Sequence, residues 1–342
     1  MRELTRNGKT YRLPSIQNPF QEAMYLHLID WKWDHITRKE GYYTHRGRQI
    51  PYDAILPESL KTSFPIVYPE VVDALRQHRK FKLHQHFNHM ASSQAANVNL
   101  FLPILLSPHA NAVLRQVKDD FGELATDQLE RGVQIEYWGP EGDGRGLLGD
   151  HTKRFGTDSD IAVAYYDNTD RRELRLWLIE HKLTEAEFTK CHGITSKGRS
   201  EIHDCKRSFT DLLKNMDCCY YHEAREFRYC EITRNHQGFF RNHGHYSECP
   251  FKGGMNQLWR NQLLGLAVEG DKASPYKKVS FSVVRHPENR ALDKTINGYR
   301  KLIANNERFS VLTSLDVVEA AEAVDDPGLD RWVGWYRGLY RL

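Results

Sequence analysis

With 342 residues, 40% of them hydrophobic and 27% charged, the chain can bury a substantial core, and wholesale disorder is excluded. A formal net charge of +3 permits a nucleic-acid partner without demanding one, so any binding surface has to be local. The first residues, MRELTRNGKTYRL, lack the apolar core of a signal peptide, and the greasiest run, Val98–Leu106, is too short to span a bilayer. Six cysteines without a secretion signal fit reduced thiols, so a cytoplasmic protein with no membrane association is expected.

Residues 1–85 read as an N-terminal accessory region. It carries Trp31, Trp33, Tyr42 and Tyr43 beside a basic cluster of His45, Arg46 and Arg48. Prolines 51, 57, 65 and 69 punctuate it and predict short elements, with a helix over Val71–Lys80. The aromatic and basic mixture could touch nucleic acid or simply be solvated surface. Phe87–Leu106 reads as a helix carrying Gln94, Asn97 and Val98 on one face, and Pro108–Arg131 as a second helix stopped by Gly132. Val133, Ile135 and Tyr137 alternate as a first strand. The glycine-rich loop Gly139–Asp150 lacks the lysine–serine ending of a phosphate-binding loop.

The stretch Gly156–Glu185 then reads as two strands around the polar turn Asn168–Asp170. Ile161, Val163 and Tyr165 alternate in the first; Leu174–Leu183 is apolar until Glu180, His181 and Lys182. A cysteine-bearing insertion runs from about 186 to 250, with a short helix over Ser208–Asn215. After it come an amphipathic helix (Asn256–Val268), a strand (Val279–Val284), a helix (Ala291–Asn305), a short strand (Phe309–Leu312), a helix (Leu315–Ala323) and an aromatic–basic tail. The order predicts an α/β fold with a mixed central sheet flanked by helices, its first three strands an antiparallel meander.

Strand geometry places the chemistry. Residues two apart share a face, so Glu180 and Lys182 point the same way, and Asp160 at the start of the preceding strand can converge on them. Two carboxylates can hold a divalent cation such as Mg²⁺ or Mn²⁺, and the lysine can orient a water or neutralise a phosphate beside it. The sequence holds one Glu-x-Lys, at the end of its most apolar strand, where a buried charge needs a reason. Asp158 has the strand parity of Asp160 and could assist or replace it. Glu136 on the first strand is a candidate further acid. Gln94, Gln257 and Arg260 are candidate nucleic-acid contacts, or structural hydrogen-bonding groups.

Asp160 followed by Glu180-His181-Lys182 resembles the PD-(D/E)XK nuclease superfamily, and within it an uncharacterised bacterial restriction-endonuclease-like family. The resembling pieces are SSQAANVNLF (92–101), QIEY (134–137), SDIAVAY (159–165), LIEHKLTE (178–185), NQLWRNQLL (256–264) and the C-terminus. The proline of the superfamily's name is absent; Thr157, Asp158 and Ser159 stand before the first acid. The resemblance implies an αβββαβ core with helical additions over residues 86–342. It implies Asp160, Glu180 and the His181 backbone carbonyl as metal ligands and Lys182 as the catalytic lysine. The implied activity is Mg²⁺-dependent cleavage of DNA in restriction or phage defence, with a homodimer as one route to double-strand cuts. A non-catalytic nucleic-acid-binding module and an RNA- or single-strand-directed nuclease are the alternatives. Some superfamily members hold iron–sulfur clusters; Cys191, Cys205, Cys218, Cys219, Cys230 and Cys249 could hold one, or a zinc ion, but form no Cys-x-x-Cys pair.

Overall fold

The computed structural model describes residues 2–78, 83–84, 86–140, 144–152 and 156–342. Two hairpins and a long helix open the chain: β1 (Arg2–Arg6), β2 (Lys9–Leu13), α1 (Pro19–His35), β3 (Gly41–His45) and β4 (Arg48–Tyr52). α1 exists because Asn18 caps it, its side chain accepting from the Gln21 N–H, with Pro19 in the first turn. The expected Val71–Lys80 helix is α2 (Val72–Gln77); residues 79 and 80 lie outside the described residues. The same holds for positions 141–143 of the glycine-rich loop.

Next come α3 (Ser93–Leu106), α4 (Ala110–Val117), β5 (Phe121–Leu124), β6 (Val133–Tyr137), β7 (Ser159–Asp167) and β8 (Leu174–Lys182). The insertion contributes α5 (Phe209–Lys214), α6 (Tyr220–Glu223) and α7 (Tyr229–Asn235). The chain closes with α8 (Met255–Gly270), β9 (Lys278–Arg285), α9 (Asp293–Leu302), β10 (Phe309–Thr313), α10 (Ser314–Glu322) and α11 (Pro327–Tyr340).

The central sheet runs β10-β9-β8-β7, with both β5 and β6 paired to β7. β6–β7–β8 is the expected antiparallel meander, while β8–β9 and β9–β10 are parallel, so the sheet is mixed. One expectation fails: Pro108–Arg131 is not a single helix. The helical spacing lasts through Val117, and β5 then pairs with the far end of β7. Gly122 permits this, because a Cβ there would lie 2.7 Å from the carbonyl oxygens of Tyr166 and Asp167. Arg175 of β8 fastens the same corner, its Nη1 lying 2.6 Å from Asp120 and 2.5 Å from Asp167.

Both faces of the sheet are covered. Ile161, Val163, Trp177 and Ile179 pack with α1, α3, α4, α10 and α11, and residues of 1–85 such as Met24, Leu28, Phe64 and Val67 belong to this same core. Ala162, Ala164, Leu176, Leu178 and Val283 pack with α5, α7, α8 and α9. The expected helix over Asn256–Val268 is α8, and its polar residues Asn256, Asn261 and Gln262 are buried along with its leucines. Among the described residues no helix is long and apolar enough to cross a membrane.

Candidate active site

β7 and β8 pair from Tyr166 and Leu174 as far as Ile161 and Ile179, and then part. The Ser159 hydroxyl replaces the missing rung, donating to the Ile179 carbonyl and accepting from the Ile179 N–H, both at 3.0 Å. One residue further, an Asp160 carboxylate oxygen accepts the His181 N–H at 2.7 Å. β8 meanwhile stays paired to β9 out to Lys182. The gap therefore opens on the β7 side, and acidic side chains stand in it where backbone would otherwise pair.

Strand alternation puts Asp160, Glu180 and Lys182 on the α8 side of the sheet, as expected. Lys182 Nζ lies 2.9 Å from Glu180 Oε1, both side chains being more than nine-tenths buried. α8 completes the cradle: Gln257 Nε2 donates to Glu180 Oε1 at 2.7 Å, and Asn261 Nδ2 donates to Oε2 at 2.8 Å. His181 has the opposite parity; burial drives its imidazole down to about 3, so it is neutral. Its N–H points at Asp160, and the carbonyl of a strand residue projects to the same side as its N–H.

Burial, then Glu180 and Glu136, raise the Asp160 carboxyl well above the ordinary aspartate range, against opposing pulls from Lys182 and the His181 N–H. Burial alone would lower the Lys182 ammonium, but Glu180, Glu185 and Asp160 outweigh it and raise it. Lys182 is therefore a fixed cation at neutral pH.

Glu136 reaches the site by a backbone device. Its φ of +56° is left-handed, so Ile135 faces one core and Tyr137 the other although they are two residues apart. Such strain in a non-glycine residue gathers at functional sites. Gln94, in the first turn of α3, holds the result: its Nε2 donates to Glu136 Oε1 at 2.6 Å, while its Oε1 accepts the His84 N–H at 3.0 Å.

Asp158 stands at the rim, 3.3 Å from His151 Nε2, and the His151 ring is stacked on Trp138. Arg260 donates to the Thr157 hydroxyl at 3.3 Å; that hydroxyl is bound to Asp150, which also accepts from Tyr229 at 2.6 Å. Gln94, Gln257 and Arg260 thus each hold a protein group as well as lining the cavity. Asn261 escaped the sequence reading, although it lies four residues after Gln257 and so on the same helical face.

A cavity of 490 Å³ opens over Asp160 and Glu180; Lys182 is not among the residues that line it. Asp160, Glu180 and Glu136 line it on the sheet side, Ser92, Ser93 and Gln94 at the N-terminus of α3, Gln257, Arg260 and Asn261 on the first turns of α8, and His84, His86 and His89 along its outer wall. The N-terminus of α3 thereby faces the acidic floor, an arrangement that favours an anion arriving with a cation.

Among the described residues no three His, Cys, Asp or Glu side chains form a metal cage by themselves. The donors fit a hard cation that keeps several waters, since Mg²⁺ takes one or two carboxylates instead of a full protein cage. Asp160 Oδ1 has no partner among the described residues. Of the roughly four lone-pair directions of Glu180, three are taken, which leaves one on Oε2. All six cysteines are free thiols. Hydrogen bonding with the Cys230 thiol lowers the Cys219 thiol to about 7.

A mixed sheet of the restriction-endonuclease-like kind, with two acids and a lysine where its strands part, defines the class. The chain belongs to the family described as restriction endonuclease associating with ARP, whose model matches residues 30–341, and so to the restriction-endonuclease-like nucleases. No curated protein and no solved structure matches it.

Proposed function

We propose that the protein is a metal-dependent endonuclease of the PD-(D/E)XK type that hydrolyses phosphodiester bonds of DNA in the cytoplasm, in restriction or phage defence. The observation that carries this reading is the fork between β7 and β8, where Asp160 and Glu180 line an open polar cavity and Lys182 is paired with Glu180. A fold that only bound nucleic acid would gain nothing from burying two acids beside a lysine there.

Asp160, Glu180 and the His181 carbonyl would hold Mg²⁺ or Mn²⁺. When bound, the ion lowers the pKa of a water and offsets charge on the phosphate oxygens. Glu180 fixes Lys182, and Gln257 and Asn261 fix Glu180, so the ammonium keeps one position and costs little reorganisation during the reaction. Held as a cation, Lys182 would orient the attacking water and offset charge gathering on the phosphorus oxygens. The N-terminus of α3 draws the phosphate toward the floor. Glu136 would hold a water of the ion. Cutting both strands requires two active sites or two encounters, which a two-fold homodimer would supply.

The test is cleavage of supercoiled plasmid, linear duplex, single-stranded DNA and RNA, each with Mg²⁺, Mn²⁺ or chelator. Metal-dependent nicking of duplex DNA, lost in Asp160→Asn and in Lys182→Ala, is expected. Cutting by either variant at the wild-type rate would remove the assignment, and cutting confined to RNA or single strands would redirect it.

A further inference from the structure

We propose that the β3–β4 hairpin is a DNA-reading arm that enters the major groove next to the cut site, with Arg46 and Arg48 as its principal contacts. This rests on the DNA endonuclease reading and adds the element that grips and selects the duplex.

The hairpin buries almost nothing. Every residue from Tyr42 to Gln49 is exposed, Tyr42 by 51% and Tyr43 by 37%. A lone two-stranded ribbon is marginal in water, so it needs an anchor. The anchor is at its base: the Gly41 N–H donates to the Ile55 carbonyl at 2.8 Å, and a Cβ on Gly41 would lie 2.4 Å from the Leu56 carbonyl oxygen. That base adjoins the active-site wall. Ile55 bridges to His89, and Tyr43 lies 5.9 Å from the ring of His86; both histidines line the cavity.

The tip shows what the ribbon is kept for. His45 pairs with Arg48, leaving Arg46-Gly47 as a two-residue turn with φ of +49° and +76°. The β1–β2 hairpin turns identically through Asn7-Gly8, at +50° and +74°. Such turns favour asparagine first, because its short side chain tolerates the left-handed region. An arginine in that seat accepts strain to put a guanidinium at the extremity. Residues 41–52 contain no acid, and neither Arg46 nor Arg48 has an ion-pair partner among the described residues.

The shape selects the partner. Two strands with their side chains fit the B-DNA major groove, about 12 Å wide, and not the minor groove, about 6 Å wide. The major groove of A-form RNA is too narrow and deep for side chains to read. Five-residue strands give a ribbon about 17 Å long, enough to reach the groove floor from the cavity rim. Arginine and glutamine are the usual readers of guanine and adenine edges, and Arg46, Arg48 and Gln49 stand together at this end.

Binding of a labelled 30-base-pair duplex by the full chain, in Ca²⁺ to hold back cutting, tests the arm across a salt series. Arg46→Asn combined with Arg48→Gln should weaken duplex binding about tenfold or more per arginine. The slope of log affinity against log salt should fall by about one for each phosphate that the arm no longer neutralises. The melting temperature should hold or rise, since asparagine suits the turn. Unchanged duplex affinity and slope would overturn the arm while leaving wild-type nicking as evidence for the nuclease. Equal losses on single-stranded DNA and RNA would overturn the groove assignment. Arm-dependent binding without any metal-dependent cutting would keep the arm and sink the nuclease reading, and a wild type that binds no duplex would sink both.

Discussion

Lys182→Met should cost more stability than Glu180→Gln, although each breaks the same ion pair. At 2.9 Å and an effective dielectric of about 20, the pair is worth roughly 6 kcal/mol before desolvation is charged against it. Breaking a buried pair from one side typically costs about 3 kcal/mol or more. The two sides differ in what remains. Without Lys182, Glu180 shares its space with Asp160 and Glu136, and the donors that answer them, the amides of Gln257, Asn261 and Gln94 and the His181 N–H, carry no charge. Without the Glu180 charge, Lys182 still faces Glu185 and Asp160. Lys182→Met should therefore lose about 3 kcal/mol and Glu180→Gln about 1 to 2 kcal/mol. The double variant should fall short of their sum by at least about 1.5 kcal/mol, since contacting partners couple. Urea unfolding of all four proteins in chelator gives these numbers. Repeating it in Mg²⁺ should return part of the loss to Lys182→Met, because an ion bound only by the folded state stabilises it. Equal single-variant losses, or strict additivity, would refute the idea that the ammonium balances the acid cluster.

Other consequences can be measured separately. Asp160→Asn removes a carboxylate pressed by two others while keeping an acceptor for the His181 N–H, so in chelator its melting temperature should rise even as cutting disappears. Asn261→Leu strips Glu180 Oε2 of its donor; the Mg²⁺ needed for half-maximal nicking should rise about 10-fold or more, as when other groups that orient metal ligands are removed. Lys32 is fully buried, donating to the carbonyls of Asp53 at 2.6 Å and Ile55 at 3.1 Å, and burial lowers it to about 8 from 10.5. The unfolded chain therefore holds this proton where the folded chain has released it, so the contribution is present above 10.5 and lost as pH falls through about 8. Between those values wild type should gain roughly 3 kcal/mol relative to Lys32→Met, read from denaturation at pH 7.5 and 10.5.

The fold was legible wherever one rule acted alone. Ile161, Val163 and Tyr165 show a strand by alternation, and β9, α9, β10 and α10 appear where periodicity and breakers agree. Legibility failed where two rules competed. Val113, Leu114 and Val117 carry a helical pattern that runs on through Phe121 and Leu124, yet Phe121–Leu124 pairs with β7, because the partner strand and Gly122 outweigh local spacing. The two N-terminal hairpins and α1 had signals in Asn7-Gly8, Arg46-Gly47 and Asn18-Pro19, which the prolines further on overshadowed.

The site divided along the same line. Glu180 and Lys182 share a face by strand geometry, which follows from spacing of two, and the distance of Asp160 in sequence is that of a hairpin. What holds them follows from no spacing on those strands. Asn261 and Gln257 come from a helix more than seventy residues on, and Glu136 turns inward through a left-handed backbone that nothing in QIEY announces. These groups set whether the ammonium stays in place and whether Glu180 keeps a lone pair for an ion. A sequence can therefore name the candidate acids and lysine while the residues that hold them stay hidden until the long-range packing is known.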